Sequence, residues 1–130
     1  GKAEFLVVYG RRRVGKTYLV AESLKGRITL RHAGLSPVEI DGKNATREQL
    51  KHFFLSLKLH GYVGRKTPTS WLDAFFLLEQ LLDAQDDGSR QVIFLDELPW
   101  MDTPRSGFMT AFEGFWNTWG CHRKNLMVVV

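Results

Sequence analysis

Eight consecutive residues, Gly10-Arg11-Arg12-Arg13-Val14-Gly15-Lys16-Thr17, satisfy every fixed position of the spacing G-x-x-x-x-G-K-[ST]. The chemistry open to such a stretch follows from its residue types. Glycine lets the backbone wrap closely around phosphate oxygens with no Cβ in the way. The backbone N–H groups then converge on the anion, and the N-terminus of a following helix adds a favourable dipole. Lys16 is placed to reach the β- and γ-phosphates, and Thr17 to offer its hydroxyl to Mg²⁺. Tyr18 closes the nucleotide-binding stretch Gly10 to Tyr18.

A second stretch, Val92-Ile93-Phe94-Leu95-Asp96-Glu97, is an apolar run that ends on two carboxylates. An acid at the C-terminal end of a buried strand stands at the rim where open α/β sheets bind their ligands. Asp96 is therefore the expected Mg²⁺-side carboxylate. Glu97, one step on, is the expected catalytic base that orients and deprotonates a water in line with the γ-phosphate, with Lys16 as its catalytic cation. An acid in that second place favours attack by water over transfer to a second substrate, although a small-molecule kinase stays open as an alternative. No Asn-Lys-x-Asp stretch is present, so guanine recognition of the familiar kind has no support.

Other residues carry weaker signals. Arg11, Arg12 and Arg13 fill three of the four variable positions of the phosphate loop, where they steer an anionic nucleotide, contact another chain or stand solvated. Trp100, Met101 and Asp102 follow the acidic pair, as loop packing or as a relay to a partner. Phe108, Phe112, Phe115, Trp116 and Trp119 read as a helix core. A base-stacking surface would interleave such rings with Lys and Arg, and here Arg123 and Lys124 come only after them. His32, His52, His60 and His122 are dispersed and have no metal-ligand spacing.

The elements that must position these residues alternate. Phe5 to Tyr9 reads as a buried strand, Gly10 to Gly15 as a turn, and Lys16 to Lys25 as a helix stopped by Gly26. Ile28 to Leu30 reads as a second strand, and Gly34 to Lys43 as loop. Thr46 and Gln49 form a capping-box pattern ahead of Leu50, Phe53, Phe54 and Leu57 at helical spacing. Gly61 to Thr69 is loop. Ser70 and Asp73 open a helix striped by Trp71, Phe75, Leu78 and Leu82. Asp86 to Ser89 reads as a turn, Val92 to Leu95 as a strand, Pro99 to Ser106 as loop, and Leu126 to Val130 as the last strand. Strands apolar on both faces, separated by helices, predict an α/β fold of the P-loop NTPase type: a mostly parallel sheet with helices on both faces.

The chain has 130 residues, the size of one domain, with 44% hydrophobic and 25% charged residues, so whole-chain disorder is not expected. A net charge of +4 suits a polyphosphate site and also permits nucleic acid. The one cysteine, Cys121, cannot form a disulfide within the chain and reads as a packing residue, which points to a reducing, cytoplasmic setting. No apolar run approaches a membrane span, and no signal-peptide pattern opens the chain. The first strand begins four residues in and the last ends with the chain. Residues 1–130 are thus expected to be part of a longer ATPase core, with the sensor at the end of the last strand, a lid and any C-terminal domain lying elsewhere.

Tyr9 to Thr17, Phe94-Leu95-Asp96-Glu97-Leu98-Pro99-Trp100-Met101-Asp102, Arg105-Ser106-Gly107-Phe108 and Phe115-Trp116-Asn117 together resemble the prokaryotic archaeal-type ATPases, an AAA-related STAND group of P-loop ATPases widespread in bacteria such as the Bacteroides group. The resemblance covers most of the chain and is weakest in the middle loops. It implies ATP and Mg²⁺ binding through Lys16, Thr17, Asp96 and Glu97. A regulatory or switch role is expected, with a protein partner or a homo-oligomer as the candidate partners. An ATP-dependent module acting on nucleic acid is the alternative that the basic charge supports.

Overall fold

The computed structural model describes residues 2–7, 28–40 and 42–130. Strands β1 (Glu4–Leu6), β2 (Ile28–Ala33), β3 (Gln91–Asp96) and β4 (Leu126–Val129) form one sheet in the order β1-β4-β3-β2. Every neighbouring pair is parallel. The described helices are α1 (Ala45–Leu59), α2 (Trp71–Ala84), the single turn α3 (Leu98–Met101) and α4 (Phe108–Thr118). The α/β class and the parallel sheet expected from the apolar strands are therefore present.

The pattern of β3 explains its central place. All six of its residues are buried, and alternate side chains leave on opposite faces. Ile93 and Leu95 join Leu30, Leu126 and Val128 on the face covered by α1, α2 and α4. Val92, Phe94 and Val129 form a second buried cluster with Ile28 and Met127 packed against it. The helical side is held by rings: Trp71 meets Phe108 edge-on at 4.8 Å between centroids, and Phe75 stacks on Phe115 at 5.3 Å. Phe108, Phe112 and Phe115 are buried, so these aromatics are core, as their spacing predicts.

Several local expectations hold and others change. Ser70 caps α2, its hydroxyl accepting from the Asp73 N–H at 3.1 Å. β2 runs to Ala33, three residues past the expected end, because it pairs with β3 along its length. The segment Gly34 to Lys43 holds two 3-10 turns, Pro37–Glu39 and Gly42–Asn44, the second running on to Asn44. The expected loop from Pro99 contains most of α3. The capping box at Thr46 is absent: α1 starts at Ala45 with Asn44 as N-cap and no side-chain cap bond. The helices seen to cover the sheet, α1, α2 and α4, share one face; the helix expected over Lys16 to Lys25 lies outside the described residues. Among the described residues no helix is long and apolar enough to cross a membrane.

Candidate functional site

A parallel sheet places the C-terminal ends of all its strands along one rim, and Asp96 is the last residue of β3 at that rim. Its side chain is buried, with 6% of the residue exposed, and Asp96 Oδ1 accepts the Glu97 N–H at 2.9 Å. Glu97 has left-handed backbone, φ 56° and ψ 45°. A non-glycine residue there is strained by roughly 1–3 kcal/mol, and such strain concentrates at functional sites. The left-handed turn ends β3 at once and starts α3, whose first turn is closed by the Trp100 N–H donating to the Glu97 carbonyl at 3.0 Å. Leu98 and Pro99 occupy the first turn of α3, where proline's missing N–H does no harm.

Two residues hold this corner, and the sequence reading assigned neither of them to it. The Gly34 N–H donates to the Asp96 carbonyl at 3.0 Å, extending the β2–β3 ladder to the rim. A Cβ on Gly34 would stand 2.8 Å from the Glu97 carbonyl oxygen and within 3.2 Å of Met101 and Trp100 side-chain carbons. Only glycine fits there without displacing the acidic turn. Gln49, fully buried on α1, makes three hydrogen bonds. Its Oε1 accepts the Leu35 N–H at 3.0 Å, and its Nε2 donates to the carbonyls of Leu35 at 2.9 Å and Trp100 at 3.0 Å. Gln49 thus ties the exit of β2 and the turn α3 beyond Asp96 to one helix. Its capping-box partner Thr46 is engaged with Thr103, Oγ1 to Oγ1 at 2.6 Å. The available signal was position: Gln49 lies on the same helical stripe as Phe53 and Ser56, a polar residue on a buried face.

The rim also relates Asp96 to the start of the chain. The registers put Leu6 of β1, Val129 of β4 and Phe94 of β3 in one row. Asp96 lies two residues beyond that row and two strands over from β1. Strand spacings of about 4.8 Å across and 3.3 Å along put the end of β1 roughly 12 Å from Asp96. Gly10 follows Leu6 by four residues. Gly10, Arg11, Arg12, Arg13, Val14, Gly15, Lys16, Thr17 and Tyr18 lie outside the described residues. Of the assigned site residues, the structure describes Asp96 and Glu97 and sets them side by side.

Three histidines that are scattered in sequence meet beside this rim. The rings of His32 and His52 are 5.0 Å apart between centroids, and His32 Nδ1 lies 2.6 Å from Ser56 Oγ. The Arg31 N–H donates to His60 Nε2 at 3.3 Å, which makes His60 Nδ1 the protonated nitrogen and the donor to the Ser56 carbonyl at 2.7 Å. Burial, reinforced by His52 and His60, lowers the His32 pKa from 6.5 to about 3, so this ring is neutral. Among the described residues no group of three His, Cys, Asp or Glu side chains could hold a metal ion. A Mg²⁺ site of the phosphate-loop kind does not require one, since one carboxylate, a hydroxyl, phosphate oxygens and water complete it.

No family model, no curated protein and no solved structure matches this chain. The functional reading therefore rests on its own residues.

Proposed function

We propose that this chain is the nucleotide-binding core of a Mg²⁺-dependent P-loop ATPase, of the kind its motifs resemble. The supporting observation is the strand order β1-β4-β3-β2 with every pair parallel. It brings the exit of β1, from which Gly10 to Thr17 follow, to the same rim as Asp96 and Glu97. The end of β1, four residues before Gly10 in the sequence, and the acidic pair thereby share one rim with one strand between them.

On this reading each residue has one task. The backbone of Gly10 to Gly15 cradles the phosphates, and Lys16 sets its cation on the β- and γ-phosphates. Thr17 and Asp96 would hold Mg²⁺, an oxygen-donor pair that suits a hard cation. When bound, the metal neutralises charge on the phosphoryl oxygens. The burial of Asp96 keeps its carboxylate in a fixed place, and hydrogen bonding to the Glu97 N–H fixes one of its oxygens. Glu97, in its strained turn, orients the attacking water and takes its proton. Arg11, Arg12 and Arg13 raise the local positive potential that draws the anion in.

Glu97→Gln should retain ATP and slow hydrolysis by ~10²–10⁴-fold, the usual cost of losing a general base. Phosphate release from Mg-ATP without any added acceptor measures it, and such release also separates an ATPase from a kinase. Unchanged turnover in Glu97→Gln, with Asp96→Asn inactive, would show that the roles are divided wrongly.

A further inference from the structure

Away from the acidic turn, a groove of about 580 Å³ opens between the start of α1 and the loop before α2. Lys43, Arg47 and Lys51 line one wall, and Thr67, Pro68 and Thr69 line the other. The three cations recur every fourth residue, which puts Arg47 and Lys51 on one face of α1 about 6 Å apart along its axis. All three are exposed, as are Thr67, Thr69 and the neighbouring Arg65 and Lys66. Glu48 is the one acid of α1. Arg47 is oriented by donating from Nη2 to Asn44 Oδ1 at 3.1 Å, which leaves its remaining N–H groups to face outward.

We propose that this groove binds the phosphodiester backbone of single-stranded nucleic acid. A row of evenly spaced cations matches a ligand whose charges repeat at a regular interval, as successive phosphates do on an extended strand. Threonine hydroxyls and an asparagine beside them are ordinary partners of phosphate oxygens. Among the described residues no aromatic ring lines the groove, so contact is with the backbone and carries no base preference. The groove is concave, and its cations, hydroxyls and Asn44 stand around an apolar floor that includes Leu50 and Pro68, a form that suits an extended strand better than a flat membrane surface. The groove stands apart from Asp96 but is tied to it: Thr46, which also lines it, is bonded to Thr103, and Gln49 of the same helix bonds the Trp100 carbonyl.

The test is an anisotropy titration of a labelled oligothymidylate with the whole chain at about 50 mM and 200 mM salt. Each neutralised phosphate on a single strand contributes about −0.7 to the salt slope, so three give about −2.1 and an affinity loss of about 18-fold across this step. Arg47→Gln combined with Lys51→Gln should cut the slope by about 1.4 and weaken binding at the lower salt. Both side chains are exposed, so melting should not change, and a melting curve checks this. Lys16→Ala should bind the oligonucleotide as wild type does, separating this site from the phosphate loop. No binding, or a slope unaltered in the double variant, overturns the proposal. So does binding to phosphatidylserine vesicles without binding to the oligonucleotide, which would make the groove a membrane contact.

Discussion

Replacing Gln49 by leucine should destabilise this fold out of proportion to the small change in side-chain size. The side chain is fully buried and serves three backbone groups: the Leu35 N–H, the Leu35 carbonyl and the Trp100 carbonyl. Each such bond contributes about 0.5–1.5 kcal/mol net, and a partner left buried without one costs about 1–3 kcal/mol. Leucine fills the space and recovers part of this by burying more apolar surface, so about 3 kcal/mol is expected. With an unfolding entropy of about 2.1 cal/mol/K per residue over the chain, that lowers Tm by about 11 °C. Thermal denaturation followed by circular dichroism reads the shift. Trp100 fluorescence should change as well, because its carbonyl loses its tie to α1. A Tm within about 2 °C of wild type would refute the assignment of Gln49 as the pin between α1 and the acidic turn.

Gly34→Ala should lower nucleotide turnover and cost about 1–3 kcal/mol, because the new Cβ overlaps the Glu97 carbonyl and must push the turn aside. Wild-type thermal stability and turnover in the alanine variant would show that the corner yields freely. Acid should weaken the fold through His32. Its folded pKa of about 3 lies below the unfolded 6.5, so the unfolded chain binds the extra proton between those values. The contribution is fully present above pH 6.5 and is lost as pH falls, reaching about 2 kcal/mol by pH 5. Tm measured at pH 7 and pH 5 should therefore drop by several degrees, and His32→Gln should shed that part of the drop. An undiminished drop in the variant would place the acid sensitivity elsewhere.

What could be read in the sequence, and what could not, divides by the range of the forces involved. β3 was legible because Val92 to Leu95, buried on both faces, leave an unbroken apolar run, and Asp96 marks its end. The cap of α2 was legible because Ser70 and Asp73 act over three residues. Gln49 was misread for the same reason. Its spacing from Thr46 imitates a local cap, while its three bonds go to Leu35 and Trp100 across the fold. Gly34 looked like one more loop glycine, since the Glu97 carbonyl that forbids a Cβ is 63 residues away in the chain. The histidines looked dispersed because only the packing of β2 against α1 brings His32 to His52. Glu97 was picked for its chemistry, but its left-handed backbone follows from the need to turn from β3 directly into α3.

The central claim is that Gly10 to Thr17 and the Asp96–Glu97 pair form one nucleotide site. Titration calorimetry of Mg-ATP into the wild-type chain and into Lys16→Ala tests it most directly. Wild type should bind Mg-ATP saturably and more weakly when Mg²⁺ is chelated, and Lys16→Ala should lose most of that binding. Equal affinity in the two proteins would contradict it, as would a wild-type chain that takes up no heat from Mg-ATP at all.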